Sequence, residues 1–239
     1  MKKSLGQHFL TNPHIHELIV QSADIKPGDV VVEVGPGSGL LTDHLLAAGA
    51  RIIAVEKDDN FVQKLKEKYK HKNVEIIHDD ILTFKPSLKI SNLKFKIVAN
   101  IPYYLTGHLL RLILQSWPPF NLAVLMVQKE VAKRMTAKPP WMNMLAVLVQ
   151  AYCTAEVVQI VKRGNFRPVP KVDSAIIKLL PRGETSGLSL EIAAHGFKHP
   201  RKKLSNNLPL ELLQKAGIDP NRRAETLSLE EWITLTQAS

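Results

Sequence analysis

Four short stretches carry the side chains best suited to chemistry: E-V-G-P-G-S-G (33–39), A-V-E-K (54–57), H-D-D-I-L (78–82) and N-I-P-Y (100–103). In the first, Gly35, Gly37 and Gly39 alternate, and glycine lets a backbone turn sharply and approach a ligand closely. Glu56 and Asp80 follow apolar runs. A carboxylate in such a place can accept bonds from a pair of hydroxyls or from an amine, and Ile81 beside Asp80 can pack on a flat ring. At the fourth stretch the apolar run Ile97–Ala99 gives way to an amide and a proline, followed by two tyrosines, Tyr103 and Tyr104. One reading is a plain turn, since Asn and Pro punctuate strands and Tyr packs with its hydroxyl wet. The other is a corner that holds a flat, polar substrate.

The surrounding pattern decides where these groups stand. Pro13–Ala23 reads as a helix with Asn12 as its N-cap. Strands are predicted at Asp29–Val34, Arg51–Val55, Val74–Ile77, Phe95–Ala99 and Leu122–Val127. Helices are predicted between them at Leu40–Ala48, Asp58–Lys70 and Leu105–Gln115, with another running to Met135. Such alternation predicts an α/β fold, a mostly parallel sheet with helices on both faces. Val157–Val161 and Val172–Leu180 read as an antiparallel pair at its edge. The glycine loop, Glu56, Asp80 and Asn100 then fall on four strand ends along one edge, where open α/β sheets bind ligands. A dinucleotide loop would need its third glycine at position 40, which is Leu40, so NAD is disfavoured. Strand signals vanish after P-R-G-E-T-S-G (181–187), and Ile192–Phe197, Leu208–Ala216 and Leu229–Leu235 read as short helices. The expected organisation is a domain at 1–182 and a small all-helical domain at 183–239.

Composition narrows the partners. The chain has 239 residues, 45% of them hydrophobic, which supports a sizeable core and argues against disorder. No apolar run reaches the length of a membrane span, and the N-terminus has no apolar core of a secretory signal. The single cysteine, Cys153, sits in an apolar stretch and reads as a buried thiol, in keeping with the cytoplasm. His78, His108, His195 and His199 have no ligand grouping, so no metal is expected. The net charge of +10 suggests a polyanionic partner. Ten cations lie between Lys129 and Arg182 against Glu130, Glu156 and Asp173 alone, and His199–Lys203 forms a second basic cluster. That clustering favours nucleic acid over a membrane.

E-x-G-x-G-x-G resembles the first motif of S-adenosylmethionine (SAM) methyltransferases, and N-I-P-Y resembles the motif of those that modify exocyclic amines. That chemistry needs such a corner. The adenine amine is a poor nucleophile because its lone pair is delocalised into the ring. Acceptors on its two N–H groups favour a tetrahedral nitrogen, so catalysis is positioning and electrostatics rather than strong base. From S-L-G-Q-H-F-L (4–10) almost to the C-terminus the chain resembles the ribosomal RNA adenine dimethyltransferases of the KsgA/RsmA kind. The resemblance also covers Q-K-E-V-A-K-R-M (128–135), F-R-P-V-P-K-V-D-S-A-I-I (166–177), R-K-K-L-S-N-N-L (201–208) and D-P-N-R-R-A-E-T-L-S-L-E-E-W (219–232).

The resemblance implies a Rossmann-like methyltransferase sheet, SAM as cofactor, and two adjacent adenosines near the 3′ end of small-subunit rRNA as substrate. It implies that His8 and Leu10 lie over the cofactor; many relatives have asparagine in place of His8. Gly35, Gly37, Glu56, Asp80, Ile81 and Asn100 would bind SAM. Asn100 and Tyr103 would hold the target adenine, with Phe166 on its other side; on the residues alone Phe166 reads as a loop anchor. Lys129, Lys133 and Arg134 form either a solvated helix face or an RNA contact. The same holds for Arg201, Lys202 and Lys203, and Arg167 and Lys171 belong to the same basic region. The partner implied is the small ribosomal subunit or its precursor, and a monomer is expected. In one place the chain departs from the family: a usual Tyr-Gly pair is replaced within P-P-W-M-N-M-L (139–145), and Trp141 is either a stacking surface or a packing residue. A large-subunit rRNA adenine methylase of the macrolide-resistance type is the close alternative. An assembly factor with incidental catalysis is the more distant one.

Overall fold

The run V-V-V-E-V forms strand β2 (Val30–Val34) in the interior of a seven-stranded sheet, where β-branched side chains pack on both faces. The computed structural model describes residues 8–86, 94–183 and 187–239. Ser4–Gln7 of the N-terminal motif and Glu184–Ser186 of the expected linker lie outside these. The other strands are β1 (Phe9–Leu10), β3 (Arg51–Glu56), β4 (Val74–His78), β5 (Phe95–Asn100), β6 (Leu122–Gln128), β7 (Cys153–Val161), β8 (Phe166–Arg167) and β9 (Ser174–Pro181). The sheet order is β4-β3-β2-β5-β6-β9-β7. β4, β3, β2, β5 and β6 are mutually parallel, and β9 runs antiparallel to β6. The expected mostly parallel α/β sheet with antiparallel character at one edge is what the chain forms.

Register fixes the site. Val34 pairs with Val55 and Ala99, Glu56 with His78, and Asn100 with Met126, so the carboxyl ends of these strands form one rim. Helices α1 (Pro13–Ser22), α2 (Leu40–Ala47), α3 (Asp59–Lys68) and α4 (Thr106–Gln115) connect or flank them. Asn12 caps α1 by accepting from His14 N at 3.0 Å, and Asp58 caps α3 by accepting from Asn60 N at 2.9 Å. Leu45, Ile52, Ala54, Val98, Val124 and Ile176 are fully buried around the sheet. Apart from the sheet, β1 and β8 form a two-stranded pair, Leu10 opposite Phe166 and Phe9 opposite Arg167.

The chain divides into two compact units, Met1–Ala132 with Glu156–Pro181, and Lys133–Ala155 with Arg182–Ser239. A single boundary after residue 182 therefore misses one segment: Lys133–Ala155 groups with the C-terminal residues. It begins within helix α5 (Lys129–Met135) and contains α6 (Met144–Tyr152), which the apolar sequence does not reveal as a helix. The second unit also contains α7 (Leu190–Gly196), α8 (Leu210–Lys215) and α9 (Leu229–Gln237). Its core gathers Ala146, Val147, Leu204, Leu213, Trp232 and Leu235. Ser228 and Glu231 cap α9 reciprocally, and Glu231 pairs with Arg222, which also donates to the Thr226 carbonyl at 2.6 Å. The D-P-N-R-R-A-E-T-L stretch is thus tied to the start of α9 through Arg222. Among the described residues, no helix is long and apolar enough to cross a membrane.

Candidate active site

β2 turns into α2 through Gly35, Pro36, Gly37, Ser38 and Gly39, and this loop is held from beneath by Glu56. Glu56 is buried at the end of β3; one carboxylate oxygen accepts from Gly37 N at 3.0 Å. The other oxygen accepts from Lys57 N at 2.8 Å and Asp58 N at 2.9 Å. Gly37 has φ +55°, and a Cβ there would meet the Phe9 ring at 2.9 Å, so a side chain has no room. Glu33, one residue before the end of β2, is buried and accepts from Thr42 Oγ1 at 2.7 Å. Burial pushes its carboxyl up to about 8, so it is mostly protonated at neutral pH.

Asp80 follows β4. It accepts from Lys57 Nζ at 2.7 Å and from Leu82 N at 3.0 Å, and these two bonds, Lys57 first, hold its carboxyl below the usual range. It is therefore a fixed, ionised acceptor beside the buried Ile81.

At the end of β5 the Asn100 side-chain amide donates to the His8 carbonyl at 3.3 Å. This fixes the amide and leaves Oδ1 as an acceptor. Tyr103 begins a short 3₁₀ turn, Tyr103–Leu105. Its hydroxyl bonds the buried Ser174 hydroxyl at 2.8 Å, and its ring lies beside that of His8 with centroids 5.8 Å apart. Burial holds the Tyr103 phenol above its ordinary range, so it stays protonated. His8 Nδ1 in turn contacts the Pro168 carbonyl at 2.7 Å. The N-terminal segment is pinned further by Thr11 N and Asn12 Nδ2, which donate to the Asn165 backbone and side-chain oxygens at 2.9 and 2.7 Å.

One cleft brings together His8, Leu10, Gly35, Gly37, Glu56, Asp80, Ile81, Asn100, Tyr103 and Phe166, all of the small-molecule and base-holding residues expected from sequence. Phe166 is only 1% exposed; it lines the cleft from the core side, packed opposite Leu10. Lining residues to which sequence reasoning assigned no site role include Phe9, His16, Lys57, Tyr104 and Leu105. His16 is buried on α1 with its ring 5.2 Å from that of His44; burial, then His44, pushes it down to about 4, leaving it neutral. Lys57 had a signal, as the cation directly after a strand-end acid. His16 had none, because nothing near it in sequence marks the cleft.

The basic residues are not gathered in this cleft. Lys129 is half-buried, and Lys133, Arg134, Arg167, Lys171, Arg201, Lys202 and Lys203 are exposed. Arg167 donates to the Gly164 and Phe166 carbonyls at 3.0 and 2.9 Å, and Lys203 to Asn221 Oδ1 at 2.8 Å. Cys153 is buried, and burial pushes its thiol up to about 12, as a structural thiol requires. Among the described residues, no group of three His, Cys, Asp or Glu could hold a metal.

Residues 1–238 match the family model described as ribosomal RNA adenine dimethylase. The ribosomal RNA small subunit methyltransferase A of Dehalococcoides mccartyi is 43% identical over 249 residues, spanning 97% of this chain and 86% of its own. Its namesake from Clostridium perfringens is 40% identical, spanning 99% and 90%. Of solved structures, a dimethyladenosine transferase from Plasmodium falciparum superposes with a TM-score of 0.82 at 27% identity, covering 95% of this chain and 96% of its own. The 23S rRNA methyltransferase ErmE superposes at 0.77 and 28%, covering 96% and 98%. The glycine loop, the strand-end acids and the N-I-P-Y corner thus stand in a chain that belongs to the ribosomal RNA adenine dimethylase family.

Proposed function

We propose that this chain transfers methyl groups from SAM to N6 of two adjacent adenosines near the 3′ end of small-subunit rRNA, two methyls to each. The observation that carries the reading is the single cleft that joins a glycine loop, two strand-end carboxylates and the Asn100–Tyr103 corner. The donors fit SAM. Glu56 offers a buried carboxylate at a strand end for ribose hydroxyls, Asp80 an ionised acceptor for an adenine amine, and Gly35 and Gly37 a backbone without side chains. His8 and Leu10 cover this part of the cleft. When bound, SAM supplies a methyl group on an electrophilic sulfonium.

The chain's own residues do the rest. Asn100 Oδ1 and the Ile101 carbonyl accept the two N–H groups of the target amine and turn its lone pair out of the ring. Tyr103, anchored by Ser174, supplies a stacking face for a base out of its stack, and Phe166 supports it from the core side. The nitrogen becomes cationic on methylation and loses its proton to water; no strong base is required. A singly methylated amine still carries one N–H and returns to the same acceptors. Lys129, Lys133, Arg134, Arg167, Lys171 and Arg201–Lys203 grip the phosphate backbone. The partner is the small ribosomal subunit or its precursor, met in the cytoplasm by a monomer.

The likeness to ErmE favours a second reading, methylation of large-subunit rRNA. Against it stands the higher identity to small-subunit enzymes, 38–43% over nearly the whole chain. The test is labelled SAM with unmethylated small subunits, with intact large-subunit rRNA as competitor, and mass-spectrometric mapping. Dimethyladenosine at two neighbouring positions near the small-subunit 3′ end is expected. Preferential labelling of large-subunit rRNA would overturn the assignment.

A further inference from the structure

Trp141 is 74% exposed, whereas Trp117 is 8% exposed and Trp232 fully buried. Tryptophan carries a large apolar face with a polar handle and is enriched where proteins meet partners. The loop that carries it is built rather than loose. Trp141 N donates to the Lys138 carbonyl at 2.8 Å, closing a turn around Pro139 and Pro140. Met142 next to it is buried, and its N donates to the Glu225 carbonyl at 2.9 Å. Asn143 caps α6 with its side-chain oxygen while its amide donates to the Arg134 carbonyl at 3.0 Å. The Gln150 amide donates to both the Met135 and Ala137 carbonyls, at 3.1 and 2.8 Å. Every residue in this framework lies in the second unit. A rigid frame fixes the backbone and leaves the indole outside.

The charge on the stretch leading into the loop has one sign. From Lys133 to Trp141 the chain carries Lys133, Arg134 and Lys138 and no acid, and all three cations are exposed. An indole among cations suits a base on a phosphate backbone: the base stacks on the ring, and the cations meet the phosphates. An apolar protein surface would not select those cations.

We propose that Trp141 is a stacking platform for one unpaired nucleotide of the RNA substrate, with Lys133, Arg134 and Lys138 neutralising the phosphates around it. This rests on the reading that the chain grips RNA, and adds a base contact outside the methyl-transfer cleft. The platform is sequence-tolerant, since every base offers a flat face.

The experiment uses the full chain and a short single-stranded oligoadenylate. Because the other two tryptophans are shielded, RNA should quench the exposed component of the fluorescence. Trp141→Ala should lose that response and bind the oligomer about tenfold more weakly, the loss of one base stack. Trp141→Phe should recover most of the affinity, and SAM affinity should be the same in all three. Wild-type oligomer affinity in Trp141→Ala would overturn the proposal, as would a fluorescence change produced by RNA-free ribosomal proteins and not by RNA. Should Trp141→Ala fail to fold, Lys138→Glu at an exposed position takes its place. Weaker binding with a shallower salt dependence is then expected, and unchanged binding overturns the proposal. A wild-type chain that stacks the oligomer but methylates no small subunit would overturn the proposed function and keep this site. Methylating small subunits with an unchanged oligomer affinity in Trp141→Ala would do the reverse.

Discussion

The side-chain amide of Asn100 donates to the backbone carbonyl of His8, joining the end of the fourth parallel strand in chain order to a segment more than ninety residues earlier. One side of the amide is thereby committed to the protein and the other side to whatever enters the cleft. A side chain fixed in this way presents its acceptor without first having to be ordered.

Asn100→Ala removes that acceptor. We expect kcat to fall about 10²–10³-fold, the usual loss for one preorganised polar group, with SAM affinity changed far less. Single-turnover methylation of small subunits, set beside calorimetric SAM binding, separates the two. Equal losses in both would show that Asn100 serves the cofactor and not the amine.

Glu56 satisfies the Gly37, Lys57 and Asp58 N–H groups, and to this the proposed function adds the ribose hydroxyls. Glu56→Ala should weaken SAM binding at least about a hundredfold and cost about 1–3 kcal/mol of stability, since buried donors lose their acceptor. Urea unfolding measured alongside SAM titration checks both. RNA affinity should be retained, and its loss would mean the two binding functions are coupled.

Glu33 sets a pH dependence. Its folded pKa of about 8 lies above the ordinary 4.5, so the folded chain holds a proton that the unfolded chain releases. The associated stability is fully present below about 4.5 and is lost progressively as pH rises towards about 8. Glu33→Gln mimics the protonated acid. It should flatten this decline and raise the melting temperature at pH 8 relative to wild type by about 2–4 °C or more. Melting curves across that range decide it; parallel curves would refute the assignment.

Gly39 has φ +79°, and a Cβ there would lie 2.5 Å from the Tyr69 hydroxyl, which itself donates to the Gly39 carbonyl at 2.8 Å. Gly39→Ala should cost about 2–4 kcal/mol from backbone strain and crowding together. In the double variant with Tyr69→Phe, part of the crowding is gone. The combined loss should then be smaller than the sum of the two single losses, as a double-mutant cycle in denaturant would show.

Strand-end chemistry was legible because it is local: an apolar run followed by glycines or an acid needs only a few neighbouring residues to be read. β2 and its loop, Glu56, Asp80 and the Asn100 corner were all visible in this way. Long-range relationships were not. β1 and β8 are two residues each, too short for any alternation, and their pairing exists only in three dimensions. Helix α6 is apolar almost throughout, so it shows no period, and its place in the second unit depends on residues after 182. His16 reaches the cleft through the packing of α1 against α2, which no spacing announces.

The pairing of Leu10 with Phe166 also sets an order of events during synthesis. The glycine loop, Glu56, Asp80 and Asn100 have all left the ribosome long before Phe166 does. A nascent chain therefore carries most of the residues proposed to hold the cofactor while the wall that the N-terminal segment completes is still missing. Closure waits for a long-range contact that comes late because it closes one of the longer loops of the chain. A chain interrupted before that point should hold SAM only loosely, so full cofactor retention reports that synthesis has passed the partner strand.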